Sequence, residues 1–146
     1  MSRGRSADRL RRVLKVRGLQ LDLARAEEAA AATAHGSAQA LRDRINALGR
    51  DVAPAAGGNN GLNLLAAAHY RSRLQRSSEE AIRRVQMAGQ KLDLARAATG
   101  AAKRDHGAVE KLVDRALDVE AAAARRAMED APQPVRPLAR SLQRDG

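Results

Sequence analysis

From Ala67 to Ala123 every seventh residue of this chain is apolar, and this spacing constrains the fold more than any other feature of the sequence. A seven-residue apolar repeat is typical of helices that pack along a narrow seam, and small seam residues let two backbones approach closely. We therefore predict a helix from about Leu64 to Asp130. The repeat comprises Ala67, Leu74, Ala81, Ala88, Ala95, Ala102, Val109, Ala116 and Ala123, and the companion positions are the more mixed Leu64, Arg71, Ser78, Val85, Leu92, Thr99, His106, Val113, Glu120 and Ala127.

A second apolar pattern occupies the first third of the chain. Its members are separated by threes, fours and sevens, which is a heptad seam with a few skipped positions. The pattern predicts a helix from about Ala7 to Val52 with an apolar edge that can meet the later helix. The predicted edge consists of Leu10, Leu14, Leu21, Ala24, Ala31, Ala34, Ala38, Leu41, Ile45, Leu48 and Val52.

Residues 53–63, APAAGGNNGLN, separate the two patterns and contain a proline, a glycine pair and an asparagine pair. Such a cluster predicts a turn, and two helices joined by a short loop fold back antiparallel. Residues 131–146 hold three of the four prolines and are predicted to form a flexible tail. The predicted fold is therefore all-α, a single long two-helix antiparallel coiled-coil hairpin over residues 1–130, with one end of the longer second helix overhanging.

Composition argues against a compact globular core and against several kinds of site. The chain has no Trp, no Phe and one Tyr, and it has no Cys for disulfides or for Cys-ligated metal. No apolar run approaches the roughly 20 residues that span a bilayer. His35, His69 and His106 lie on separate stretches, as expected of solvated or seam-edge histidines, and GGNNG lacks the Lys and Ser/Thr of a phosphate-binding loop. We predict no enzyme, no metal and no cofactor.

The formal charge of +10 points to an anionic partner. Seven cations face one acid, Asp8, in the first 17 residues. Nucleic acid is one candidate, although Tyr70 alone offers an aromatic ring for base stacking, and a membrane surface lacks the Trp and Phe that would seat a helix. A protein partner fits best, because Leu10, Val13 and Leu14 beside these arginines suit an acidic, partly apolar socket.

Three blocks of the sequence resemble the FliJ proteins of the bacterial flagellar type III export apparatus. They are LRRVLKVRGLQ near the start, HYRSRLQRSSEEAIRRVQ at the opening of the second helix, and KLDLARAATGAAKRDHGAVEKLVDRALDVEAAAARRAMED after it. The similarity covers about Leu10 to Asp130 and includes a shorter first helix, a loop and a longer second helix. The chain differs from the family in its high alanine content, its single aromatic residue and its Pro-rich tail.

The resemblance implies a cytoplasmic antiparallel coiled coil similar to the central stalk of rotary ATP synthases. It implies binding to the hexameric export ATPase FliI, to the cytoplasmic domain of the export gate protein FlhA and to export chaperones, with membrane association only through these partners. The implied ATPase-ring contacts, which we call the terminal group, are Leu10, Arg11, Arg12, Leu14, Arg17, Lys111, Leu112 and Arg115. The implied gate contacts, the loop-side group, are Leu41, Ile45, Leu48, Tyr70 and Leu74.

Other interpretations stay open on the sequence alone. One is a basic coiled coil associated with nucleic acid, and another is the equivalent stalk protein of a virulence-type injectisome. A third is a plain structural spacer, whose behaviour would not depend on its end charges. The Arg-rich amphipathic start, MSRGRSADRLRRVLKVR, also has the composition of a mitochondrial presequence.

Overall fold

Two long helices make up the part of the chain that the structure describes. The structure is a computed structural model, and it describes residues 2–51, 61–132 and 134. Helix α1 spans Ser2–Asp51 and helix α2 spans Gly61–Asp130. The two pack against each other along their length and no strand is present in the described residues, which confirms the predicted all-α helical hairpin.

The helices are longer than the sequence patterns predicted. Helix α1 begins at Ser2 rather than near Ala7, although its first turn contains Gly4, a poor helix former. Helix α2 begins at Gly61, so Gly61–Asn63 are helical and do not belong to the predicted loop. The rest of the predicted loop lies in residues 52–60, outside the described residues. So do Val52 of the predicted seam and nearly all of the predicted tail.

The helices run antiparallel in a constant register. Asn46 contacts Ser78, Glu28 contacts Arg96, and Gly18 contacts His106. From one contact to the next, the number of residues moved toward the start of α1 equals the number moved toward the end of α2. In this register the first turns of α2 extend beyond Asp51 of α1, and the last turns of α2 extend beyond Ser2. The longer helix therefore projects past the described part of α1 at both ends, whereas one overhang was predicted.

The seam of α2 follows the predicted seven-residue frame. Every member of the apolar repeat from Ala67 to Ala123 is buried or half-buried, and the companion positions from Ser78 to Glu120 are as well. Ala81, Leu92 and Val113 are the buried residues of this helix. The alanine row therefore packs against α1, as its spacing predicted, and it brings α2 close to α1.

The predicted seam of α1 is wrong at three positions in its second half. Ala34, Leu41 and Leu48 are exposed, whereas Ala38 and Ile45 lie in the seam as predicted, together with His35 and Arg42, which were not predicted. The physical reason is that the seam of α1 keeps an unbroken heptad spacing. If the seam moved onto Leu41 and Leu48, the seam of α2 would also have to skip a position to stay in register. The observed seam residues are Ala7, Leu10, Leu14, Arg17, Leu21, Ala24, Glu28, Ala31, His35, Ala38, Arg42 and Ile45.

Few side chains are fully removed from water. The buried apolar residues are Ala7, Leu21, Ala81, Leu92 and Val113, and two of these five are alanines with little area to bury. Polar contacts across the seam supplement them. The Thr99 hydroxyl donates to the carbonyl oxygens of Ala24 and Ala95 at 3.2 and 3.0 Å. Length, rather than a dense core, therefore stabilises the pair. Neither helix of the described residues has a segment long and apolar enough to cross a membrane.

Candidate protein-binding surfaces

The terminal group lies at the end of the rod where α1 begins. Ser6 of α1 and Arg115 of α2 line the same shallow hollow, and the Arg17 guanidinium lies 3.7 Å from the Asp105 carboxylate. The structure thus brings together the two parts of this group, which are far apart in the sequence. Leu10, Leu14 and Arg17 are half-buried in the seam, so only the remaining members present a free surface: Arg11, Arg12, Lys111, Leu112 and Arg115.

The loop-side group lies at the other end and also divides between seam and surface. Ile45 and Leu74 are half-buried and line one groove together with Asn46 and Ser78. Leu41, Leu48 and Tyr70 are exposed, so they are available to a partner without any opening of the hairpin. Arg17 and Leu41 are 24 residues apart on α1. At a rise of about 1.5 Å per residue the two groups are therefore separated by roughly 36 Å.

Two histidines lie in the seam, each against a glycine of the other helix. A Cβ added to Gly89 would lie 3.4 Å from Nε2 of His35, and a Cβ added to Gly18 would lie 3.8 Å from Cδ2 and Nε2 of His106. Nδ1 of His106 is also 3.9 Å from a Glu110 carboxylate oxygen. Among the described residues no group of three or more metal-binding side chains comes together. The two histidines therefore fill space beside glycine.

An internal repeat, which heptad analysis alone did not reveal, explains this reciprocity. The hexapeptide LDLARA occurs at residues 21–26 and again at 92–97, and the dipeptide HG occurs at 35–36 and again at 106–107. With the same offset of 71 residues, residues 18–44 and 89–115 are identical at 14 of 27 positions. Direct comparison of the chain with itself would have found this signal. Comparison by hydrophobic pattern did not.

The repeat gives the rod an approximate twofold axis. Gly89 is the repeat equivalent of Gly18, and His106 is the repeat equivalent of His35. The repeat therefore relates the contact of Gly18 with His106 to the contact of Gly89 with His35, and both contacts are present. Ala26 and Ala97 are repeat equivalents near the midpoint of the register. The axis therefore passes through the seam close to Ala26 and Ala97, perpendicular to the plane of the two helices.

One side of the rod carries most of its exposed large apolar residues. Ala34 and Met87 line one hollow on this side, and Leu41 and Arg84 line the next. Heptad spacing from these residues places further apolar side chains in the same rows. We call this surface the apolar face. Its large apolar members are Val13, Val16, Leu23, Leu41, Leu48, Tyr70, Met87, Leu94, Leu112 and Val119, all of them exposed.

The opposite side of the rod is polar. One of its grooves is lined by Gly18, Asp22 and Arg25 of α1 and by Lys103, Gly107 and Glu110 of α2. Cations concentrate instead along the outer edges of the rod, at the heptad position that points away from the seam. These are Arg5, Arg12, Arg76, Arg83, Arg104, Lys111 and Arg125, and Asp118 is the one acid at that position in the described residues. Cations therefore border the apolar face, and others interrupt it at Arg9, Arg44, Arg73, Arg84, Lys91, Arg115 and Arg126.

The hollows of the described residues are shallow grooves along the seam, and none combines a nucleophile with a positioned base. Comparison of the chain with models of known protein families, with curated proteins and with solved structures finds no match. What the rod can bind therefore follows from its geometry and charge.

Proposed function

We propose that this protein is a non-enzymatic coiled-coil stalk that binds other proteins through its two ends. In the more specific form implied by the FliJ resemblance, it belongs to a bacterial flagellar type III export apparatus. There the terminal group binds the ring of an export ATPase of the FliI kind, and the loop-side group binds an export gate protein of the FlhA kind. Export chaperones are further partners, and the protein works in the cytoplasm, at the membrane only through these partners.

The observation that carries the proposal is the composition of the terminal end. The start of α1 and the later part of α2 meet there, so Arg11, Arg12, Lys111 and Arg115 project from one end beside the apolar Leu112. Exposed cations around an apolar anchor favour an acidic partner with an apolar contact, where charge speeds encounter and apolar burial slows release.

A pull-down with charge-reversed variants tests the proposal. Purified export ATPase and the cytoplasmic domain of the gate protein, both from the same organism, are each captured on the tagged rod. We expect Arg11→Glu with Arg12→Glu to weaken ATPase binding by about tenfold or more and to reduce motility, because repulsion replaces attraction at the terminal end. Gate binding should be unchanged.

Arg73→Glu with Arg76→Glu is the matched control, since it makes the same change in net charge at two exposed arginines of the opposite end. This control should leave ATPase binding intact. Equal loss with both variants would mean that only net charge matters. Unchanged ATPase binding by the Arg11 and Arg12 variant would remove the terminal group from the proposed interface, and absence of ATPase binding by the unsubstituted rod would overturn the specific form of the proposal.

A further inference from the structure

We propose that the apolar face is a self-association surface on which a second copy of this chain packs, so that two hairpins form a four-helix bundle. This goes beyond the stalk function, which concerns the two ends of the rod. Four residues, Leu41, Leu48, Tyr70 and Leu112, belong to both surfaces, so a partner at either end would compete with the second copy for them. Three observations carry it: the duplication of the exposed apolar residues by the internal repeat, their total area, and the distribution of charge around them.

The repeat preserves apolar side chains at positions that the hairpin itself leaves exposed. Each member of one set on α1 has an apolar counterpart 71 residues later on α2, and all eight residues lie on the apolar face. Seam packing within the hairpin does not fully account for these residues, because it leaves from 37% of Leu41 to 71% of Leu94 exposed to water. The pairs are Val16 with Met87, Leu23 with Leu94, Leu41 with Leu112, and Leu48 with Val119.

A second copy matches the symmetry of this surface. The approximate twofold axis of the rod passes through the apolar face, so a partner that engages both halves equally must present the same chemistry twice. A second hairpin does this, because its own apolar face carries the same four pairs. Helices that bury one apolar stripe against a hairpin partner and a second stripe against another pair form a four-helix bundle.

The exposed apolar area is sufficient for a stable dimer. Leu23 is 62% exposed and Leu94 is 71% exposed, and the eight paired residues average about half exposed. The eight side chains together offer on the order of 700 Å² per copy, close to the roughly 800 Å² per partner that specific interfaces bury. Alanines between them, such as Ala30, Ala98 and Ala101, allow close approach of the second pair of helices.

Charge does not oppose this arrangement as strongly as the net charge of +10 suggests. The cations of the outer edges lie beside the apolar face, where two packed copies leave them in water. Within the face, Glu80 already pairs with Arg84 of the same chain at 2.7 Å, and Asp105 pairs with Arg17 at 3.7 Å. These pairs lower the net charge that a second copy meets, and Lys91 and Glu27 lie on the same face for pairing across the interface.

Mass measurement of the isolated chain tests the proposal without any export protein, so its failure is distinguishable from failure of the stalk function. Light scattering coupled to size-exclusion chromatography should give twice the chain mass. Leu23→Glu with Leu94→Glu should halve this mass, because both carboxylates would be buried at the interface. A single-chain mass for the unsubstituted protein at about 100 µM would overturn the proposal and leave the face to a partner of different sequence.

Leu19→Glu with Leu65→Glu is the matched control. These leucines are 63% and 70% exposed, nearly the same as the tested pair, but they lie outside the apolar face. The control should remain dimeric. If the control dissociates as fully as the Leu23 and Leu94 variant, the apolar face is not the interface and the proposal fails.

Cross-linking of single cysteines supplies a measurement that leaves the apolar residues in place. The chain has no cysteine of its own. Ala98 is exposed on the apolar face near the twofold axis, so Ala98→Cys should meet its counterpart whichever way the second copy runs, and a short bis-maleimide should link the two chains. Ala97→Cys, one residue away on the outer edge, should link at least tenfold less. Equal linking at both positions would overturn the proposed face.

Discussion

The imidazole of His106 lies across the seam from Gly18, with Cδ2 and Nε2 both 3.8 Å from where a Cβ on that glycine would be. His35 and Gly89 repeat the relationship from the other helix, with Nε2 at 3.4 Å from the equivalent position. Glycine lowers helix stability relative to alanine. Its presence opposite a half-buried imidazole at two repeat-equivalent places is therefore explained by packing and not by helix propensity. The bulk of each histidine is accommodated by the absence of a side chain opposite.

Alanine in place of a glycine that touches nothing should stabilise the hairpin. Gly36 lies in the interior of α1, and a Cβ added there would have no heavy atom within 4 Å. We expect Gly36→Ala to raise the free energy of unfolding by about 1 kcal/mol, the difference in helix propensity between the two residues. Urea unfolding followed by far-ultraviolet circular dichroism measures it. A loss of stability would show that this glycine has a role that the described contacts do not include.

Alanine at Gly89 should stabilise less than alanine at Gly36. Helix propensity favours both substitutions equally, but the new Cβ at Gly89 would lie 3.4 Å from Nε2 of His35, so the imidazole must shift slightly. Gly89→Leu should reduce the midpoint of urea unfolding below that of the unsubstituted protein, whereas Gly36→Leu should not. Equal responses at the two glycines would mean that His35 does not pack at Gly89.

Leucines in the seam should contribute much more than an equally placed leucine outside it. Leu21 and Leu92 are repeat equivalents, and each is 6% exposed. We expect Leu21→Ala and Leu92→Ala each to lower the free energy of unfolding by about 2–3 kcal/mol, at the low end of the range for buried leucines because the thin seam can partly collapse. Leu19→Ala, at an outer edge, should change it by less than about 0.5 kcal/mol. Comparable losses at all three positions would contradict the observed seam.

The sequence allowed the main seam row of α2 to be predicted, because that row is apolar at every seventh residue from Ala67 to Ala123 and no other row of this helix is apolar throughout. It misled in α1, where Leu41 and Leu48 are more apolar than the seam residues His35 and Arg42. Hydrophobicity assigns the larger apolar residues to the seam, but the register with α2 is fixed by the whole length of the heptad. A rule that assigns each helix a single apolar stripe cannot identify a second set of apolar residues, such as the one on the apolar face.

The sequence was enough to predict which residues lie at the same end of the rod, because antiparallel pairing follows from the composition of the turn. It was not enough to predict which of those residues face solvent, since that depends on the rotation of each helix about its axis. Arg17 illustrates the difference. It was predicted among the cations of the terminal group, yet in the fold it is half-buried and lies 3.7 Å from Asp105, so part of its charge is engaged within the hairpin.

Replacement of Glu28 by leucine should stabilise the hairpin. Glu28 occupies a seam position with its side chain 33% exposed, and its carboxylate is 4.0 Å from the Arg96 guanidinium, at the limit of an ion pair. A long, partly exposed ion pair contributes little, whereas a leucine at a seam position buries apolar area. We expect Glu28→Leu to raise the free energy of unfolding by about 1 kcal/mol, measured in urea at low salt. A decrease would assign a larger contribution to the contact with Arg96.

Binding to duplex DNA should be weak, independent of sequence and abolished by salt. The outer-edge cations can neutralise phosphates, but one tyrosine in the whole chain gives little base stacking. In a mobility-shift assay we expect retention at about 50 mM salt that disappears by about 200 mM. Arg76→Glu with Arg83→Glu should abolish it even at low salt. Tight, sequence-dependent binding at 200 mM salt would favour the nucleic-acid interpretation over the stalk function.

Cross-linking across the seam should occur within one chain. His35 and Gly89 face each other, so His35→Cys with Gly89→Cys places two thiols on opposite helices within the reach of a short dithiol reagent such as dibromobimane, which fluoresces once both ends have reacted. We expect a fluorescent band at the mass of a single chain on a denaturing gel. Gly36→Cys with Gly89→Cys is the control and should stay dark, because Gly36 faces away from α2. Fluorescence confined to a band of twice the chain mass would mean that α1 of one molecule pairs with α2 of another. The terminal end would then be built from two chains, and the arrangement of its cations around Leu112 would depend on protein concentration.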